Sequence, residues 1–99
     1  MRFRIHREAK AELKEATAWY SEQLVGLGDE LLVEVEQAFR RVRESPYTCA
    51  MTREQDPSLR ASPVRRFPYR VVFRIRSDES LVVAVAHSRR RPDYWKDRI

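Results

Sequence analysis

The sequence predicts an α+β fold of order β-α-α-β-β-β, an antiparallel helical hairpin packed on a small, mainly antiparallel twisted sheet. Three observations carry that expectation. Apolar residues recur at helical spacing from Ala9 to Val42. Both glycines, Gly26 and Gly28, interrupt that stretch near its middle, and the last third changes to strand-like alternation and an apolar run.

Met1 to His6 alternates, with Phe3 and Ile5 on one side and Arg2 and Arg4 on the other, which is a short strand with one solvated face. From Arg7 the period becomes helical: Ala9, Leu13, Ala16 and Tyr20 form a stripe that Leu24 extends, and Trp19 beside it is expected in the core. Glu8 suits the positive end of this helix, although no Ser, Thr or Asp cap is evident. Gly26-Leu27-Gly28 breaks it, in a turn where glycine can adopt positive φ. A second helix, about Asp29 to Glu44, carries Leu31, Val35, Ala38 and Val42 on one stripe, with Leu32 and Phe39 beside it. Asp29 and Glu30 open it, Arg40, Arg41 and Arg43 close it, and Pro46 stops it. So short a connection makes the two helices an antiparallel pair.

Tyr47 to Ser62 is polar, contains Pro57 and reads as a loop, with a short strand near Leu59 to Arg66 as its one candidate element. Tyr69, Val71, Phe73 and Ile75 alternate with Arg70, Val72, Arg74 and Arg76, a strand with one buried face. Ser77-Asp78-Glu79-Ser80 is the turn. Leu81 to Ala86 is apolar throughout, as in a central strand covered on both sides, or one whose second face a partner covers. The helices are expected over one face of the sheet. The other, bearing Arg70, Arg74 and the residues after Ala86, is expected to be open to a partner.

Ninety-nine residues make a single domain, residues 1–99. The 20 basic and 15 acidic residues give a net charge of +5, very unevenly spread. Residues 61–99 alone carry +6, and almost all their cations are arginine, whose planar fork grips phosphate or carboxylate through two bonds. That balance points to an acidic or polyanionic partner. No apolar run approaches the ~20 residues of a membrane span, and the charged N-terminus lacks a signal-peptide core. Cys49 is the only cysteine, so no intrachain disulfide forms and a cytoplasmic location is expected. His6, His87 and Cys49 have no metal-ligand spacing, no glycine loop cradles phosphate, and no cofactor is expected.

Trp19-Tyr20, Gly26-Leu27-Gly28, Arg66-Phe67-Pro68-Tyr69, and Ala86-His87-Ser88-Arg89-Arg90-Arg91-Pro92 with Tyr94-Trp95 and Arg98 follow one another in a specific order. Together they resemble the RelE/ParE toxins of bacterial type II toxin–antitoxin systems, over nearly the whole chain. The resemblance implies a growth-inhibiting toxin neutralised by a small cognate antitoxin in a hetero-oligomer. Its ParE-like branch inhibits DNA gyrase by direct binding, and its RelE-like branch cuts mRNA on the ribosome. The Trp-Tyr, Gly-Leu-Gly and Arg-Phe-Pro-Tyr signatures look more like the ParE side.

Two site readings follow. In the ParE-like one there are no catalytic residues, and Arg65, Arg66, Arg70, Arg74, Arg89, Arg90, Arg91 and Tyr94 bind the target or the antitoxin. In the nuclease alternative Arg74, His87, Arg91 and Tyr94 converge: arginines answer the charge on the phosphate, while His and Tyr move protons. Nuclease relatives usually bring lysines to the middle region. Residues 47–66 hold only Arg53, Arg60, Arg65 and Arg66. His87 shares parity with Leu81, Val83 and Val85, which favours a helix-facing structural role over catalysis. Packing is also favoured for Tyr94 and Trp95. Arg89-Arg90-Arg91 repel one another and call for an anionic answer, so a binding role is favoured there.

Overall fold

A computed structural model describes residues 1–52 and 56–99; Arg53 lies outside the described residues. The elements run β1 (Arg2–Ile5), α1 (Arg7–Gln23), α2 (Leu27–Glu44), β2 (Ala50–Met51), β3 (Leu59–Val64), β4 (Tyr69–Arg76) and β5 (Glu79–His87). The strands form one sheet in the order β1-β5-β4-β3-β2. Only the β1–β5 pairing is parallel; the other three are antiparallel. The expected β-α-α-β-β-β order therefore holds, with one addition. The polar segment read as a loop contributes the two-residue edge strand β2, which its composition gives no reason to expect.

Both helices lie on one face. Leu31, Val35, Ala38 and Val42, the stripe anticipated for α2, are fully buried against Val71, Phe73 and Val82 of the sheet. Phe3 and Ile5 join the same cluster, so Arg2 and Arg4 project from the opposite face of β1.

The helical turn takes positive φ at Gly26 as expected, but differs from expectation at Gly28. Gly26, at φ 87°, is the residue before α2 and meets no obstacle. Gly28 lies inside α2. A Cβ there would stand 2.7 Å from the Thr17 carbonyl oxygen and closer still to the Ser21 hydroxyl. It is the crossing point of the helices that excludes a side chain, and backbone freedom is not the reason. Leu24 falls outside α1, and it is 61% exposed; Trp19 is 55% exposed, so neither belongs to the core. Tyr20 does pack inward, edge-on to Phe67 at 5.1 Å between ring centres. The N-cap of α1 is His6, whose Nδ1 accepts the Glu8 N–H at 3.1 Å.

One irregularity decides which way β5 points. Val72 pairs with Ala84 but Phe73 pairs with Val82, leaving Val83 as an extra residue in β5. Beyond this bulge the parity reverses. Val82, Val85 and His87 share the helix-facing side, whereas Leu81, Val83, Ala84 and Ala86 face away. His87 thus faces the helices as anticipated, but it does not share that face with Leu81 and Val83. The outer face is not fully open either. Trp95 returns across it, 1% exposed, and covers Leu59, Val72, Val83, Ala84 and Ala86.

Candidate functional site

The site grows from the place where β1 ends. His6 donates its N–H to the Val82 carbonyl at 2.8 Å, and the chain then turns into α1. β5 continues for five residues with no strand on that side. Buried backbone polar groups need partners, and side chains supply them here. Glu12 of α1 accepts the Val85 N–H at 3.0 Å, and Arg98 donates to the Val83 carbonyl at 3.1 Å. Arg98 also pairs with Glu12 at 3.0 Å and with Glu8 at 3.1 Å.

Glu12 is the hub. Its second oxygen accepts the Tyr94 hydroxyl proton at 2.7 Å and lies 3.5 Å from Arg90. The Arg90 guanidinium sits 3.8 Å from the centre of the Tyr94 ring, and Arg98 lies on the same ring at 5.2 Å. Burial, then the Glu12 hydrogen bond and charge, push the Tyr94 hydroxyl far above its ordinary value, so it is a donor held to one acceptor. Burial works against the Arg98 charge. The hydrogen bond and charge of Glu12 outweigh that, with Glu8 adding to them, and hold the guanidinium above its ordinary value.

The sequence-predicted residues sort accordingly. Arg90 and Tyr94 are engaged within the chain. Arg66, in the left-handed region at φ 71°, ties the β3–β4 turn to α2 through Glu30 at 2.8 Å and Glu34 at 4.0 Å. Arg74 pairs with Asp56 at 3.4 Å. Arg65, Arg70, Arg89 and Arg91 are exposed and have no side-chain partner among the described residues. Arg70 and Arg91 line a groove of about 410 Å3 between the β3–β4 turn and the C-terminal segment. A second groove, about 350 Å3, runs between α1 and the end of the sheet past Trp19 and Glu15. Tyr69, His87 and Arg90 border both.

Arg74 and His87 are not brought together. His87 pairs with Tyr69, five residues before Arg74, roughly 16 Å along β4 at ~3.3 Å per residue. The His87 ring stands edge-on to Tyr69 at 5.0 Å, and its Nδ1 accepts the Arg89 N–H at 3.0 Å. Burial raises the Tyr69 hydroxyl above its ordinary value. No group of three His, Cys, Asp or Glu side chains among the described residues could hold a metal, and no helix is long and apolar enough to cross a membrane. Burial also raises the Cys49 thiol, against the nearby charges of Arg41 and Arg60. Sequence reasoning missed Glu12. Its place on α1 gave no signal, because its partners lie more than 70 residues away.

A helical hairpin over a sheet of this order, with these motifs in this sequence, defines the class of RelE/ParE-like toxins. Residues 3–92 match the sequence family described as the ParE toxin of the type II toxin–antitoxin system, parDE. The chain belongs to that family. Among solved structures it is similar to a chain of the chromosomal ParDE TA system from P. aeruginosa. The TM-score is 0.72 at 18% identity, over 88% of this chain and 95% of that one. A comparison with curated proteins finds no match.

Proposed function

We propose that this ParE-family toxin inhibits DNA gyrase by direct binding through Arg65, Arg70, Arg89 and Arg91, and that a cognate antitoxin neutralises it. One observation carries the reading: these four arginines have no side-chain partner among the described residues, while the candidates for proton transfer are occupied. The Tyr94 hydroxyl donates its hydrogen bond to Glu12, and His87 stands edge-on to Tyr69 while its Nδ1 accepts the Arg89 amide N–H. Unanswered arginines beside a groove suit the recognition of an acidic partner surface. The ParDE relative supports an antitoxin as a partner, and the unanswered arginines suit acidic side chains on it. This reading places the toxin in the cytoplasm, with its target.

Titrating the antitoxin-free protein into a gyrase supercoiling and cleavage assay tests it. Inhibition with accumulated cleaved DNA is expected, and its loss in Arg89→Glu/Arg91→Glu protein that is still folded. No inhibition by folded protein that arrests growth would overturn the gyrase assignment and turn attention to mRNA cleavage. Full inhibition by the double variant would reject the patch.

A further inference from the structure

A second basic cluster lies at the opposite end of the outer sheet face, where Arg2, Arg4 and Arg76, which no motif singles out, join Arg74. Register alone assembles it. Arg4 and Arg74 stand on either side of Leu81, and Arg2 and Arg76 on either side of Glu79. All four arginines project from the face away from the helices, because Phe3, Ile5, Phe73 and Ile75 between them pack into the helix-side core. Adjacent strands are ~4.8 Å apart and alternate residues ~6.6 Å, so the four guanidinium groups crown an area only about 10 Å across.

Few acids answer them. Glu79 holds one Arg4 nitrogen at 3.1 Å, and Asp56 one Arg74 nitrogen at 3.4 Å. Each guanidinium has five N–H donors, so most stay available. One of them is in deficit: Arg74 Nε is the single buried side-chain nitrogen or oxygen with no hydrogen-bond partner among the described residues. An unanswered buried donor is costly and marks a place where an acceptor is missing. Arg74 borders a recess of about 120 Å3 lined also by Arg4, Arg76, Glu79, Leu81 and Ile99, in which the one carboxylate, Glu79, is already paired with Arg4. At ~30 Å3 per water that is room for about four waters, a volume suited to one tetrahedral oxyanion.

We propose that Arg2, Arg4, Arg74 and Arg76 bind the phosphate backbone of nucleic acid, with one phosphate seated in the recess against Arg74. Protein partners bind through buried aromatic or aliphatic anchors in pockets. Among the described residues, the recess offers such an anchor only Leu81 and Ile99, under a rim of three arginines and one carboxylate. Sequence-independent phosphate contact is what such a surface can make. The proposal stands apart from the gyrase reading, since it concerns other residues and a binding event measurable without gyrase.

The test is fluorescence anisotropy of a labelled DNA duplex with the full-length protein at salt concentrations between about 50 and 200 mM. Each phosphate contact adds about −0.9 to the slope of log K against log salt, so Arg4→Gln/Arg76→Gln should make the slope shallower by about 1.8. Both side chains are exposed, so the fold is expected to survive, with circular dichroism as the check. Arg74→Lys keeps the charge and removes the fork, and it should keep the slope while weakening binding several-fold. Arg7→Gln/Lys10→Gln removes two charges from α1 and should leave the slope unchanged. An unchanged slope in the Arg4/Arg76 variant would place the phosphates elsewhere and overturn the proposal. So would an equal loss in the α1 variant. Displacement of the duplex by poly-glutamate at lower charge concentration than by unlabelled DNA would assign the face to an acidic protein instead.

Discussion

From Glu79 to Val82, β5 lies between two backbone neighbours, β1 and β4; from Val83 to His87 only β4 remains. In the first half the ladder satisfies the strand, and the arginines beside it are left to face solvent. In the second half the missing neighbour is replaced by Glu12, Arg98 and Tyr94, so charge is used to complete the fold. Arginine therefore takes on a further role at the broken edge: Arg98 there completes the ladder, while Arg2 and Arg76 beside the intact half stay exposed.

Mutations can break that contrast. Trp95→Ala should have the largest effect, about 4 kcal/mol in chemical denaturation, because a buried tryptophan is removed from above the second half of β5. Glu12→Ala should follow at about 3 kcal/mol, since Arg98 loses its main counter-charge and the Val85 N–H its acceptor. Tyr94→Phe should cost about 1.5 kcal/mol, the scale of a hydrogen bond to a charged acceptor. It should also alter the alkaline limb. The Tyr94 hydroxyl is raised above its ordinary 10.0, so the unfolded chain gives up that proton first. Stability is then full below pH 10 and falls as pH rises further, less steeply in the Phe variant, as thermal melts between pH 9 and 11 would record. In the first half, Arg4→Ala removes only an exposed pair with Glu79 and should change stability by less than about 1 kcal/mol. A loss as large as that of Glu12→Ala would erase the distinction between the halves.

Much of the fold was legible because its signals were local. The alternation of β4 and the buried stripe of α2 fall where their periods put them. The bulge at Val83 was not legible, since a run that is apolar at every position has no parity to shift. Gly28 carried a signal, but of a kind that does not separate a left-handed turn from a close helix crossing. At the candidate site, the sequence exposed the arginines and hid their partners. Glu12 looks like any solvated helix acid, and only the fold sets it beside Arg98. For the same reason Arg2 and Arg4 read as the wet side of a short strand, with no sign that Arg74 and Arg76 stand two strands away.

The side chains closing the open edge of β5 have one more consequence. Leu81 to Ala86 is six uncharged apolar residues, three of them valine and none proline or glycine, a composition close to that from which cross-β stacks are made. Its second half would offer an unpaired row of amides to any other chain. Glu12 occupies the Val85 amide and Arg98 the Val83 carbonyl, and both set charge against the edge. Losing that plug would cost the protein solubility before it cost the fold, because the exposed edge is a template for self-association even in a molecule that is otherwise native.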